Sequence, residues 1–340
     1  MSARALIVGH LTTFGDLEVL DQAMELLTRC GVPFDVASYY GHVSASSPDW
    51  LQPDAVIPER YTHLIVCCGP FSKFILAAAR FDFNRYRHCV RIGFNLTMIE
   101  PIHAFNPFDV VIGRDSNEWA YPDLSVLQSV PRRPVVGLCL AEGQTEYPDG
   151  QRQHATAAQR LKSLVARHGL AAVVLDTEYP RTANRAGLGT AAEFESICAR
   201  LDVMLTNRLH GTVLALKNGV PVIAVDAISG GNKVSRQCRA LGWPEVFAAE
   251  SASDRALDEA LQRCLLPAAR VQAAGVALAA RQMWSHIDTE FERALRTVPR
   301  GEVVDVSLPQ PSFAEKVRDG LRLRLRRILR PIGQRIANAV

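Results

Sequence analysis

A chain of 340 residues is long for one hydrophobic core and comfortable for two domains. Hydrophobic content of 48% and charged content of 21% describe an ordinary folded protein, and no run of about 18 uncharged apolar residues offers a transmembrane helix. The net charge of +3 is uneven: residues 316–335, from Lys316 to Arg335, hold eight basic side chains and one acidic, leaving about −4 for the rest, a balance that argues against a nucleic-acid-binding core.

The first residues, with apolar 5–8, are too short in their hydrophobic run for a signal peptide and read as a buried strand. Gly15-Asp16 opens a helix with Leu17, Leu20, Met24 and Leu27 on one face, stopped near Gly31. Asp16 suits the helix N-terminus, where the macrodipole favours a carboxylate. Strands follow at 34–39 and 62–68, separated by a proline-rich loop over 44–58. A helix is expected over 72–80, then strands at 89–94 and 108–113. Arg114-Asp115-Ser116 comes directly after, an arginine that either caps the next helix or faces a ligand. Prolines at 122, 131 and 134 interrupt the strand-helix rhythm and mark a crossing between domains. Eight cysteines are scattered, several inside apolar runs (Cys67, Cys68, Cys139), without a C-x-x-C pair; reduced core thiols of a cytoplasmic protein are expected, not disulfides or zinc.

The second half repeats the alternation. A strand at 135–140 leads to a helix carrying Leu161, Leu164 and Val165, stopped by Gly169, and then to a strand at 171–175. Thr190-Ala191-Ala192-Glu193 is a capping box before Phe194, Ile197, Cys198 and Leu201. Residues 202–206 read as a buried strand, Val213, Leu214 and Leu216 as a short helix closed by Asn218-Gly219, and 221–225 as the next strand. The turn between the first two carries Arg208, Leu209, His210, Gly211 and Thr212, at a strand's carboxyl end and a helix's amino end, where open α/β sheets bind ligands and backbone N–H groups favour anions. Arg208 offers a planar fork for carboxylate or phosphate. His210 can exchange a proton near neutral pH, and Gly211 permits close backbone approach. A satisfied buried imidazole and a structural ion pair are the plainer reading of the same residues. Gly230-Gly231-Asn232-Lys233 follows the last strand as an anion-binding loop without a P-loop pattern. Such β-α-β alternation predicts mainly parallel sheets. Amphipathic helices are expected over 254–266 and 271–295, the second with Trp284, Ile287, Phe291 and Leu295 on one face.

Arg208-Leu209-His210-Gly211-Thr212, with Leu214-Ala215-Leu216, Gly219-Val220-Pro221-Val222-Ile223 and Lys233, resembles the signature of the polysaccharide pyruvyl transferase family. Looser agreement at Gly15-Asp16 and Arg114-Asp115 extends the resemblance over about residues 1–250. It implies two Rossmann-like domains facing a cleft, as in GT-B glycosyltransferases: 1–130 on the acceptor side, 131–250 on the donor side, helices over 251–300 packing back across both, and 301–340 a linker and basic amphipathic tail. It also implies an enzyme that transfers a pyruvyl group from phosphoenolpyruvate to a sugar of a polysaccharide or lipid-linked glycan as a ketal, without metal or cofactor. On that reading His210 relays a proton, Arg208 and Lys233 hold the donor's anionic groups, and Asp16 is a base or a sugar ligand. Gly15, Leu209, Gly211, Thr212 and Arg114 then line the substrates.

Two positions depart from the family pattern. Thr12-Thr13-Phe14 stands where the family usually has an asparagine before Gly-Asp, and Ala141-Glu142-Gly143-Gln144 stands where an arginine often closes the strand. Glu142 would repel a phosphate, so another cation must substitute or the donor differs. A glycosyltransferase using a nucleotide sugar, and a non-catalytic glycan-binding protein, are the alternatives. In the tail, Val317, Leu321, Leu325, Ile328 and Leu329 share one helical face and arginines the other, the pattern of an interfacial anchor for the inner, anionic face of a membrane.

Overall fold

The computed structural model describes residues 2–47 and 49–298. The linker and basic tail expected over 301–340 lie outside the described residues. Two compact units divide the chain, Met1–Arg132 and a second that opens at Arg133, and each is described by itself.

In the first unit the apolar runs become β1 (Ala5–Gly9), β2 (Phe34–Ser38), β3 (His63–Cys67), β5 (Val90–Phe94) and β7 (Val110–Ile112), in the all-parallel order β2-β1-β3-β5-β7. The period-two rule explains its two cores: Leu6 and Val8 pack with Leu64 and Val66 on one face, Ala5 and Ile7 with Ile65 and Cys67 on the other. Helix α1 (Phe14–Arg29) begins one residue before the expected Gly15, because Thr13 is the N-cap. The loop expected over 44–58 is more ordered than its prolines imply: α2 (Gly41–Ser44) precedes it, and 3-10 turns form at Pro53–Ala55 and Pro58–Arg60. Helix α3 (Lys73–Ala78) is capped by Ser72, and a small parallel pair, β4 (Pro70–Phe71) with β6 (Thr97–Met98), completes the unit.

The second unit contains β8 (Val135–Cys139), α4 (His154–His168), β9 (Ala171–Leu175), α5 (Ala191–Cys198), β10 (Val203–Thr206), α6 (Leu209–Lys217), β11 (Val222–Asp226), α7 (Lys233–Leu241) and β12 (Val246–Ala248). Its sheet is also wholly parallel, in the order β12-β11-β10-β8-β9. From β8 the chain first steps outward to β9, then returns to the other side of β8 with β10. The topological switch point therefore falls between β8 and β10, whose carboxyl ends lead to Ala141 and Arg208. Helices α8 (Asp254–Cys264), α9 (Pro267–Met283) and α10 (Ile287–Leu295) close the described chain. The helix expected over 271–295 is two, broken at residues 284–286. Helix α9 buries Ala269, Ala273 and Val276, whereas Trp284, Phe291 and Leu295 stay exposed. The α/β class, parallel sheets and C-terminal helices are those expected from the sequence. No helix among the described residues is long and apolar enough to cross a membrane.

Candidate functional site

The switch point of the second unit is held shut by buried polar side chains. Thr206 donates its hydroxyl to the Cys139 carbonyl at 2.6 Å and accepts from the Arg208 amide at 3.0 Å. Asn207 clamps the other strand end: its Oδ1 accepts from the Ala141 amide at 2.6 Å and its Nδ2 donates to the Ala141 carbonyl at 3.0 Å. These bonds satisfy backbone groups that two diverging parallel strands would leave unpaired. The sequence reading passed over Asn207; its signal was an amide directly after a buried strand and before the helix.

Arg208 is the N-cap of α6, in extended conformation and without a side-chain cap bond, so the helix starts at Leu209 rather than near Val213. The reason for glycine at 211 differs from the one expected. A Cβ there would lie 2.4 Å from the Thr206 hydroxyl oxygen, so Gly211 lets the helix close on its own strand instead of on a ligand. Gly211 and Thr212 are both buried, and Thr212 donates its hydroxyl to the Arg208 carbonyl at 3.0 Å.

Arg208, Leu209, His210 and Lys233 do come together, lining a pocket of about 460 Å³ with Gly143, Gln144, Glu146, Thr177 and Glu178. His210 is exposed, not sealed in the core. Both cations already have partners. Arg208 Nη2 lies 3.1 Å from Glu178 and 3.4 Å from Asp176, and Lys233 Nζ lies 3.1 Å from Glu146 and over the Tyr147 ring. A hydrogen bond from its own backbone amide, and then one from Lys233, hold the Glu146 carboxyl below its usual range. Asp176 is only 1% exposed and is satisfied by the amides of Glu178 and Arg185, at 3.1 and 3.0 Å, besides the two guanidinium groups. Glu142, expected to repel a phosphate, instead pairs with Arg185 at 2.5 Å and does not line the pocket. Arg185, from the loop after β9, supplies a cation at the strand end where the family often has its arginine.

Lys233 is the first residue of α7. The glycine loop before it is organised by Asp226, a buried carboxylate accepting from the amides of Ile228, Asn232 and Ser235 at 3.1, 2.7 and 2.9 Å. Nearby, His154 opens α4 fully buried, neither ring nitrogen bonded; burial first, and then the Arg152 charge, push its pKa down, so the ring is held neutral.

The remaining candidates lie in the first unit. Asp16 completes a capping box: its Oδ2 accepts from the amides of Thr12 and Thr13, at 3.1 and 2.9 Å, while its own amide donates to the Thr13 hydroxyl. A Cβ on Gly15 next to it would meet only the Thr13 hydroxyl, at an ordinary 3.9 Å, so no packing demand requires glycine there. Arg114 is tied to Asp123 at 2.6 Å, to Asp115 at 3.6 Å and to the Thr97 hydroxyl. Among the described residues no cluster of His, Cys, Asp or Glu is placed to hold a metal ion.

Parallel sheets, a helix N-terminus without a side-chain cap at a switch point and a pocket lined by Arg208, His210 and Lys233 make this an α/β protein with a polar pocket where open sheets bind ligands. The model of the polysaccharide pyruvyl transferase family matches residues 159–227, from the second turn of α4 through β11 and the Arg208–Thr212 turn, stopping short of Lys233. No curated protein matches the sequence. Among solved structures, the chain is similar to spinosyn forosaminyltransferase SpnP, at 14% identity over 87% of this chain and 100% of that one, with a TM-score of 0.32. It is also similar to spinosyn rhamnosyltransferase SpnG with its aglycone (11% identity, 84% and 99% covered, TM-score 0.33) and to E. coli heptosyltransferase WaaC with ADP (14%, 77% and 99%, 0.25). The fold is defined by the chain's own two parallel sheets.

Proposed function

We propose that the chain is a pyruvyl transferase that moves the enolpyruvyl carbon skeleton of phosphoenolpyruvate onto two hydroxyls of a glycan as a ketal. The observation that carries the reading is the convergence of Arg208, His210 and Lys233 in one pocket at the amino end of α6. Arg208 takes the donor carboxylate as a fork, and Lys233 the phosphate as a point charge. One sugar hydroxyl attacks C2 while C3 gains a proton relayed by His210. Phosphate then leaves with its C2–O bond electrons, and the second hydroxyl closes the ketal. Of the two hydroxyl protons, one balances the new methyl group and the other leaves on hydrogen phosphate. Positive charge around the departing phosphate lowers the barrier most, because that charge develops in the transition state. Asp16 is assigned as the base for the sugar hydroxyl, with Gly15 and Arg114 on the acceptor side and the amides of Leu209 and Gly211 beside the donor; Thr212, buried with its amide bonded to the Arg208 carbonyl, supports the turn from behind. No metal or cofactor enters this scheme.

The acceptor is assigned to a polysaccharide or lipid-linked glycan, made at the inner face of a membrane to which residues 316–335 attach peripherally. Incubating the protein with phosphoenolpyruvate and a panel of glycans, and following phosphate release, tests the reading. His210→Ala is expected to abolish acceptor-dependent release with an unchanged circular dichroism spectrum. Turnover that survives the substitution removes His210 from the mechanism. Release of a nucleoside diphosphate from nucleotide sugars, with none of phosphate from phosphoenolpyruvate, would transfer the pocket to glycosyl transfer.

A further inference from the structure

A second pocket, of about 340 Å³, lies wholly within the first unit, over the sheet face where Val8 and Ala37 emerge. Its lining includes Arg80, Arg85, Tyr39, Phe81, Tyr86 and Asp54. Neither arginine makes an ion pair or side-chain hydrogen bond among the described residues, although Asp54 and Asp82 share the lining. The Tyr39 hydroxyl is buried without a partner, and a buried hydroxyl left unpaired costs stability. Phe81 and Tyr86 are stacked, their centroids 5.3 Å apart and planes 10° from parallel.

Arg80 carries the most telling feature. It follows α3 in left-handed conformation, φ +52°, with the hydrogen bonds of a Schellman ending: the Phe81 amide to the Leu76 carbonyl at 3.0 Å, and its own amide to Ala77 at 3.1 Å. Glycine is the usual residue at that position, since a side chain there costs roughly 1 kcal/mol or more. In this fold Gly31, Gly169 and Gly242 take left-handed backbone just past a helix. An arginine at such a position, unpaired and lining a pocket, points to a side chain whose binding role offsets the backbone cost.

We infer that this pocket binds an anionic sugar, a carbohydrate bearing a phosphate or a carboxylate. Arg80 and Arg85 would take the anionic group as charge-assisted forks, the half-buried Phe81 ring would offer an apolar surface to the sugar, and Asp54 would bond its hydroxyls. The inference deepens the proposed function, on which its meaning as an acceptor subsite rests. It is therefore tested by binding alone, without phosphoenolpyruvate.

Calorimetric titration of the full chain with glucose 1-phosphate, glucuronate, inorganic phosphate and glucose separates the contributions. Binding is expected for one or both charged sugars, at least about tenfold tighter than for phosphate or glucose, with the phosphate and carboxylate arms showing which anion is preferred. Arg85→Gln should weaken it about tenfold or more, the loss of one charge-assisted contact. Arg80→Gly should weaken it similarly while raising Tm, because glycine relieves the left-handed strain. A purely structural arginine would not produce that pairing of greater stability with lost affinity. Undiminished binding in both variants, or equal affinity for glucose and glucose 1-phosphate, overturns the proposal. Binding that follows these expectations in a protein that releases no phosphate from phosphoenolpyruvate keeps this pocket and rejects the transferase reading.

Discussion

The two cations of the Arg208–His210–Lys233 pocket are held ready by carboxylates that an incoming anion must displace. Glu178 and Glu146 are about half-exposed, at 51% and 54%, so solvent screens their pairs with Arg208 and Lys233 and leaves them weak. Such partners keep the side chains extended into the pocket yet yield to a ligand. Removing one competitor should tighten anion binding: Glu178→Gln is expected to lower the Kd for phosphoenolpyruvate by roughly 2- to 5-fold at low salt, with the gain shrinking as ionic strength rises. Calorimetry at two salt concentrations checks it, and weaker binding in the variant would show that Glu178 positions Arg208 rather than competing for it. Arg208, His210 and Lys233 are residue types whose chemistry is visible without coordinates, and they do share a pocket. What could not be read was which carboxylates face them. Glu142 adjoins the site in sequence and turns away to Arg185, while Glu146, Asp176 and Glu178 arrive through loop conformation.

Helix starts were set by capping and strand-end chemistry rather than by apolar periodicity, which explains where element boundaries went astray. Thr13 pulls the start of α1 back to Phe14, and Arg208 starts α6 at Leu209, four residues before its first periodic leucines and valines. The capping box at Thr190 was legible because both of its partners are near in sequence; the structure shows Thr190 and Glu193 bonded reciprocally. Thr190→Ala should cost about 1 kcal/mol, read as a lower denaturant midpoint with unchanged slope. Gly211 makes the sharper test of how α6 packs. Adding a methyl group forces it against the Thr206 hydroxyl, which bonds both the Cys139 carbonyl and the Arg208 amide. Gly211→Ala is expected to destabilise the second unit by about 1–3 kcal/mol. If Gly211 served only ligand approach, the variant would keep its stability and lose only binding. The long-range fact behind this, a threonine five residues earlier occupying the Cβ position, is invisible to any local pattern.

Across the whole chain, strand alternation was enough to foresee parallel sheets, since short apolar runs separated by helices leave no other way to return to the same edge. The order of strands was not foreseen, and it is the order that locates the switch point. Each unit also has a core made of its own residues, Val136 to Val276 in the second and Ala5 to Phe108 in the first, so the two should respond separately to acid. In the first unit Asp123 sits at a pKa of about 2, where Arg114, Ser125 and Asn95 together outweigh the opposing effect of burial. A depressed carboxylate gives stability that is present above its unfolded value near 4 and lost as pH falls from there toward 2. In the second unit the neutral, buried His154 acts earlier. Its folded pKa lies below the unfolded value of about 6.5, so unfolding takes up a proton, and the stability present above 6.5 drains away as pH falls below it. Differential scanning calorimetry between pH 7.5 and 5.5 should therefore show the second unit's transition moving down while the first unit's holds. His154→Gln, which cannot titrate, should flatten that slope. An equally steep fall in the variant would assign the acid response to other groups and leave the buried imidazole without a thermodynamic role.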